Sequence, residues 1–211
     1  MNRFGHILVC FALKEEAAPF RKTAAGRPEV SILITGIGRR NAEQAVVEFL
    51  ASALRSRVLT CGFAGGLDPN HAVGTVLFAT DDAGLRETLN AAGASPGRFF
   101  CATRIATTAK EKQELRRTTT ADAVEMESDA IHAVCRQRAI PCATVRVISD
   151  AASDDLPLDF NRFAGADMKL DYGKLALAVA KSPKQIGALL RLRRQTRYAA
   201  EKLAALLGKV I

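Results

Sequence analysis

Six short apolar runs recur along the chain: HILVCFAL (6–13), VSILIT (30–35), RVLTCG (57–62), TVLFAT (75–80), RFFCAT (98–103) and ATVRVIS (143–149). Between several of them lie segments with helical spacing, at about 15–23, 39–55, 83–92, 109–117 and 127–138, and two more, near 160–180 and 184–208, close the sequence. Strands that are apolar on both faces need a layer of helices on each face. The alternation therefore predicts a three-layer α/β/α fold whose central mixed sheet is largely parallel. Residues 1–211 contain no internal repeat, low-complexity tract or long linker, so a single domain is expected. A chain of this length buries a core without disulfides or metals.

A formal charge of +8 suggests nucleic acid until it is located. Of the chain's 30 basic and 22 acidic residues, residues 181–211 hold eight and one, which leaves a nearly neutral body of 22 and 21. Within 184–208 and just beyond, Leu189, Leu192, Leu203, Leu206 and Val210 fall on one helical face, and Lys184, Arg191, Arg194, Lys202 and Lys209 on roughly the opposite one. A solvated packing helix or a peripheral contact with an acidic membrane accounts for this pattern. No stacking platform or zinc-finger spacing accompanies the charge, so nucleic acid is not expected as a partner.

Five cysteines, Cys10, Cys61, Cys101, Cys135 and Cys142, are odd in number and lack a C-x-x-C pair. Reduced, mostly buried thiols in a cytoplasmic protein are expected, and no metal site. The first apolar run spans eight residues and is followed at once by Lys14, Glu15 and Glu16, which reads as a buried strand and predicts neither signal peptide nor transmembrane helix.

Ligands of such sheets bind outside the carboxyl ends of the strands. Those exits carry Glu15 and Glu16, TGIGRRNAE (35–43), CGFAGGL (61–67), VEMES (124–128) and VISDAA (147–152). Gly36 and Gly38 could free N–H groups for an anion at the next helix start. Gly62, Gly65 and Gly66 could admit a ligand close to the backbone. Taken alone, each such signal more often marks only a tight turn or a helix cap.

Together, in this order, FALKEEA (11–17), TGIGRRNAE, CGFAGGL and the pair VEMES and VRVISDAA resemble the motifs of the nucleoside phosphorylase and nucleosidase family. The similarity is greatest to its methylthioadenosine/S-adenosylhomocysteine nucleosidase branch and to the compact hopanoid-associated phosphorylase branch. The resemblance implies cleavage of the N-glycosidic bond of a purine nucleoside, a 5′-modified adenosine such as methylthioadenosine or S-adenosylhomocysteine, without metal or organic cofactor. Such chemistry wants an acid for the leaving purine and carboxylates around a cationic sugar.

By this resemblance Asp150 is the acid and Glu16 orients or deprotonates a water. Glu127 grips the ribose hydroxyls, Met126 packs on the sugar, and Phe160 covers the ribose and 5′ region. Ile105 lies near the purine, Gly65 and Phe63 line the glycine-rich loop, and Glu125 is a weaker candidate that could serve only the helix start. An acid working near neutrality needs an environment that favours its protonated form, which an apolar purine pocket can supply by desolvation.

The sequence departs from the pattern at Thr60 and Phe63, where the family's phosphorylases carry an arginine and a serine for phosphate. Losing a bidentate arginine favours water as nucleophile, with phosphate left open as a co-substrate and Gly38, Arg39 and Arg40 as its candidate contacts. A shortened segment before RFFCAT suits a bulkier 5′ group, so phosphorolysis of a purine nucleoside or of adenosylhopane is the alternative. A catalytically silent nucleoside-binding protein is another. The resemblance also implies a homo-oligomer.

Overall fold

A computed structural model describes residues 5–52, 55–163 and 185–211. The strands are β1 (Ile7–Phe11), β2 (Val30–Ile34), β3 (Arg57–Gly66), β4 (Val76–Thr80), β5 (Ser95–Pro96), β6 (Phe99–Cys101), β7 (Ala123–Glu125) and β8 (Cys142–Asp150). The helices are α1 (Lys14–Thr23), α2 (Arg39–Ser52), α3 (Ala83–Ala92), α4 (Ala109–Thr119), α5 (Ser128–Gln137) and α6 (Ile186–Val210), with a 3₁₀ turn at Phe160–Phe163.

The sheet runs β2-β1-β3-β8-β4-β5, with β7 paired to the end of β3 and β6 paired to β7. β2, β1, β3 and β8 are mutually parallel, whereas β4 is antiparallel to β8 and β7 to β3. The mixed, mostly parallel sheet expected from the apolar runs is the one observed. β5 and β7 escape periodicity because two or three residues cannot display a period.

Alternation along β1 sorts its side chains into two cores. Ile7, Val9 and Phe11 join Phe20 of α1, Leu85 and Leu89 of α3, and Leu203, Leu206 and Leu207 of α6. Leu8 and Cys10 face the other way, onto Ala42, Val46 and Leu50 of α2 and Ile131, Val134 and Cys135 of α5. α3 and α4 begin where Asp82 and Thr108 accept from the N–H groups of Leu85 and Glu111, the N-cap geometry that satisfies otherwise orphan donors.

The closing helix, α6, coincides with the segment read as 184–208. Leu203, Leu206 and Val210 are buried, Leu189 and Leu192 are half-buried, and Arg191, Arg194, Lys202 and Lys209 are exposed. Of the helix expected near 160–180, only the 3₁₀ turn falls among the described residues; 164–184 lie outside them.

One feature of β3 creates the crevice. Its first half pairs with β1 as far as Cys61, while its second half shifts register against β8 between Ala64 and Gly65 and pairs with β7. The chain leaving β1 and the chain leaving β7 flank a crevice over the carboxyl ends of β3 and β8.

Candidate active site

A cavity of about 270 Å³ opens in that crevice. Its wall includes Glu16, Phe63, Gly65, Ile105, Glu125, Met126, Glu127, Asp150 and Phe160, so every residue assigned to acid, base, ribose or purine contact lines one space. Leu192 and Thr196 of α6 complete it.

Beneath the cavity lies Arg146 of β8, 1% exposed and surrounded by carboxylates. Its Nη2 is 2.6 Å from Glu125 Oε2 and 3.2 Å from Glu127 Oε2, and its Nη1 donates to the Cys61 carbonyl at 3.1 Å. Sequence reading did not single this arginine out. The available signal was a lone cation inside the apolar run ATVRVIS, which a buried strand tolerates only with an anionic partner.

The three glutamates around Arg146 differ in environment. Glu125 Oε2 accepts from the N–H groups of Glu127 and Ser128, and its Oε1 accepts from the Ser128 hydroxyl at 2.6 Å. Burial would raise its carboxyl, but Arg146 and these donors outweigh that and hold it below the usual range. Glu125 therefore anchors the start of α5 and the arginine at once, in the interior rather than on the surface.

Glu127 accepts from the Gly38 N–H at 2.8 Å, and burial, opposed by Arg146 and reinforced by Glu125, raises its carboxyl. A carboxylate has about four acceptor sites, so both oxygens retain capacity for hydroxyl donors from the cavity. Glu16 accepts from Leu13 N–H and Phe63 N–H, each at 2.8 Å. Burial pushes it up to about 7, against the pull of Arg146 and the Phe63 N–H and with the push of Glu127.

Gly62 makes this packing possible. Its φ is +149°, and a Cβ there would sit 2.6 Å from Arg146 Nη1 and 2.7 Å from Glu16 Oε1. At Gly65 the same atom would meet Val124 Cγ1 at 3.2 Å and Asp150 Oδ2 at 3.4 Å.

Asp150, at the end of β8, accepts from the Ser149 hydroxyl on Oδ1 at 2.7 Å, and its Oδ2 is ion-paired with Lys112 of α4. The expected picture of a carboxyl alone in an apolar wall gives way to one with a cation against it. Lys112 was hidden from sequence reading among the other charges of KEKQELRR. The loop carrying Ile105 is fixed by Asn161, also unforeseen, whose amide accepts from Ile105 N–H and donates to Ile105 O, both at 2.9 Å. That tie joins the loop to the turn that begins with Phe160.

The expected anion contacts are otherwise engaged. Gly38 N–H is taken by Glu127, and Arg39 pairs with Asp129 at 3.5 Å on the surface. Neither Arg39 nor Arg40 is part of the cavity wall. Among the described residues of that wall Arg104 is the one cation, and Glu111 pairs with it. Thr60 is buried below the site, 3.3 Å from Arg146 Nη2.

Elsewhere, Asp68, His71 and Asp122 approach one another, but Arg116 bridges both carboxylates. Cys10, Cys61, Cys135 and Cys142 are buried and free, and burial raises the thiols of Cys10 and Cys61.

The model of the Phosphorylase superfamily matches residues 12–102 and 82–181, which spans the site residues other than Leu192 and Thr196 of α6. The chain belongs to the phosphorylase superfamily. Within it, the chain is 26% identical over 170 residues to a 5′-methylthioadenosine/S-adenosylhomocysteine nucleosidase of Shewanella piezotolerans, covering 64% of this chain and 74% of that one. It is 25% identical over 210 residues to the enzyme of the same name from Anoxybacillus flavithermus, covering 75% and 90%.

Solved structures share the fold. Futalosine hydrolase of Helicobacter pylori superposes with a TM-score of 0.74 at 15% identity, over 100% of this chain and 98% of that one. The methylthioadenosine/S-adenosylhomocysteine nucleosidase of Neisseria meningitidis, solved with methylthio-immucillin-A, gives 0.73 at 20% identity over 98% of each.

Proposed function

We propose that this chain is a nucleosidase that hydrolyses the N-glycosidic bond of a purine nucleoside, a 5′-substituted adenosine. The observation that carries the reading is the buried Glu16 with a carboxyl pushed up to about 7, held by Phe63 N–H on a wall whose one cation among the described residues, Arg104, is already paired. A base poised near neutrality suits a water. A phosphate dianion placed among Glu16, Glu125 and Glu127 would meet like charge, with no unpaired basic side chain on the described wall to receive it.

The steps follow from the residues. The ribose lies against Met126 with its hydroxyls donating to Glu127, and the carboxylates stabilise the positive charge that develops on the sugar as the C1′–N9 bond lengthens. Its electrons pass into the purine, which Asp150 protonates. Glu16 takes a proton from the attacking water, and Phe160 closes over the sugar. No cofactor enters. The names of the superfamily relatives support an adenosine derivative as substrate.

The same reading includes a homo-oligomeric cytoplasmic enzyme and a peripheral contact between α6 and acidic lipid. Ile186 and Leu190 are 44% and 50% exposed on the first half of that helix, beside exposed Arg191, Arg193 and Arg194. No helix among the described residues is long and apolar enough to cross a membrane. Liposome binding unchanged by neutralising Arg191 and Arg194 would remove the lipid contact.

A purine-release assay tests the activity on adenosine, inosine, methylthioadenosine, S-adenosylhomocysteine and adenosylhopane, with and without phosphate. Release without phosphate is expected. Phosphate-dependent release would establish a phosphorylase, and no release from any of them would favour a silent binding protein.

A further inference from the structure

Lys112 is the buried residue of α4, a helix whose other charges face solvent or its rim, and its side chain is entirely withdrawn from water. An ammonium carries three N–H donors. Here each has one acceptor: Asp150 Oδ2, the Ala151 carbonyl at 2.9 Å and the Asp154 carbonyl at 3.0 Å. The pair packs beside Gly65, where a Cβ would lie at ordinary contact distance from both, 3.7 Å from Lys112 Cε and 3.4 Å from Asp150 Oδ2. Lys112 is not part of the cavity wall, whereas Asp150 and Ser149 are, so it meets a ligand only through Asp150.

As a structural tie this is a costly choice. A buried ion pair is commonly no better for stability than apolar side chains of the same volume, and an apolar residue at this position would join α4 to the β8 exit equally well. The arrangement makes sense if the proton is used. An aspartate that accepts from an ammonium is a carboxylate, and a carboxylate has no proton to give a leaving purine.

We propose that Lys112 is a positioning residue that also supplies the proton which Asp150 delivers to the leaving purine, an inference that rests on the reading of Asp150 as the acid. As the C1′–N9 bond breaks and its electron pair enters the purine, the purine takes a proton through the Asp150 carboxylate and Nζ gives one up to that carboxylate. Lys112 is left as a neutral amine with two N–H groups, and the Ala151 and Asp154 carbonyls accept both. Solvent returns the proton when the products leave, balancing the one that Glu16 took from water.

The test compares adenine release from methylthioadenosine with nitrophenolate release from 4-nitrophenyl β-D-ribofuranoside, whose leaving group departs without a proton. Lys112→Met and Lys112→Arg are measured beside the wild type and Asp150→Asn, each checked for its melting transition. Arginine keeps the charge but does not give up its proton in proteins. Both Lys112 variants are expected to lose about 100-fold or more in kcat for adenine release, with KM little changed and nitrophenolate release retained. Adenine release preserved in Lys112→Arg, or a parallel loss on both substrates, would overturn the proposal.

If the variants do not fold, or the glycoside is not turned over, wild-type rates in mixtures of H₂O and D₂O decide. Relay predicts a curved dependence on deuterium fraction that needs the Nζ proton in flight beside those that Asp150 and Glu16 transfer, and a dependence fitted by those two protons or fewer contradicts it. A wild type that releases no purine at all contradicts the nucleosidase reading itself.

Discussion

Arg146 and Glu125 face each other at 2.6 Å with side chains 1% and 0% exposed, one from the middle of β8 and the other from the end of β7. Glu127 and Glu16 add to the same cluster, so a single guanidinium compensates several carboxylates at the floor of the cavity. Removing it leaves charge buried without a partner. Arg146→Met is expected to cost about 3–5 kcal/mol, read as a lowered midpoint in urea, and to abolish purine release. A variant as stable as the wild type would mean that the cluster does not hold the site together.

Glu16 makes the activity depend on pH. As a base it works when ionised, so kcat/KM, which reports groups of the free enzyme, is expected to rise through about pH 7 and to level off above it. Glu16→Gln should remove this rise and lower kcat by about 10²–10⁴.

The same group carries an opposite effect on stability. Its folded pKa lies above the unfolded value of 4.5, so between the two the unfolded chain has lost the proton that the folded chain retains, and stability falls as pH rises until about 7. Relative to the wild type, Glu16→Gln is therefore expected to gain stability between pH 5 and pH 8. Melting temperatures of both proteins across that range check the sign, and a difference that does not change would place the ionisation elsewhere.

Much of the fold was legible because its information is local. Two-sided apolar runs such as ILVCF specify buried strands, and the helical spacing of Leu203, Leu206 and Val210 specifies the face that α6 buries. Glu16, Glu127 and Asp150 were legible because they sit at strand exits, whereas Ile105 and Phe160 came only with the family resemblance. Arg146 and Lys112 were not legible, since each draws its meaning from a partner distant in sequence: Lys112 looks like Lys110 until α4 is laid against β8. Glu125 was half legible. Its place at a helix start was visible, and its burial against an arginine 21 residues later was not.

Gly62→Ala tests the close packing of β3. A Cβ at this position would collide with Arg146 and Glu16 in a backbone conformation that L-residues rarely adopt. A loss of about 1–3 kcal/mol is expected from the backbone alone, together with a loss of activity, measured by urea denaturation and purine release. Wild-type behaviour in both would contradict the geometry.

Leu203→Ala probes the anchoring of α6. Its side chain is fully buried in the core shared with β1, α1 and α3, and truncation is expected to cost about 2–5 kcal/mol. Because Leu192 and Thr196 of the same helix line the cavity, KM should rise as well, which steady-state kinetics below the new melting transition would show. An unchanged KM would separate α6 from substrate binding.

The nucleophile is the central claim, and the fate of the sugar tests it most directly. Methylthioadenosine is cleaved in ¹⁸O-labelled water containing phosphate, and the sugar product is weighed by mass spectrometry. Attack by water predicts free methylthioribose with one ¹⁸O at C1′, at a rate independent of phosphate. An unlabelled sugar 1-phosphate would contradict it.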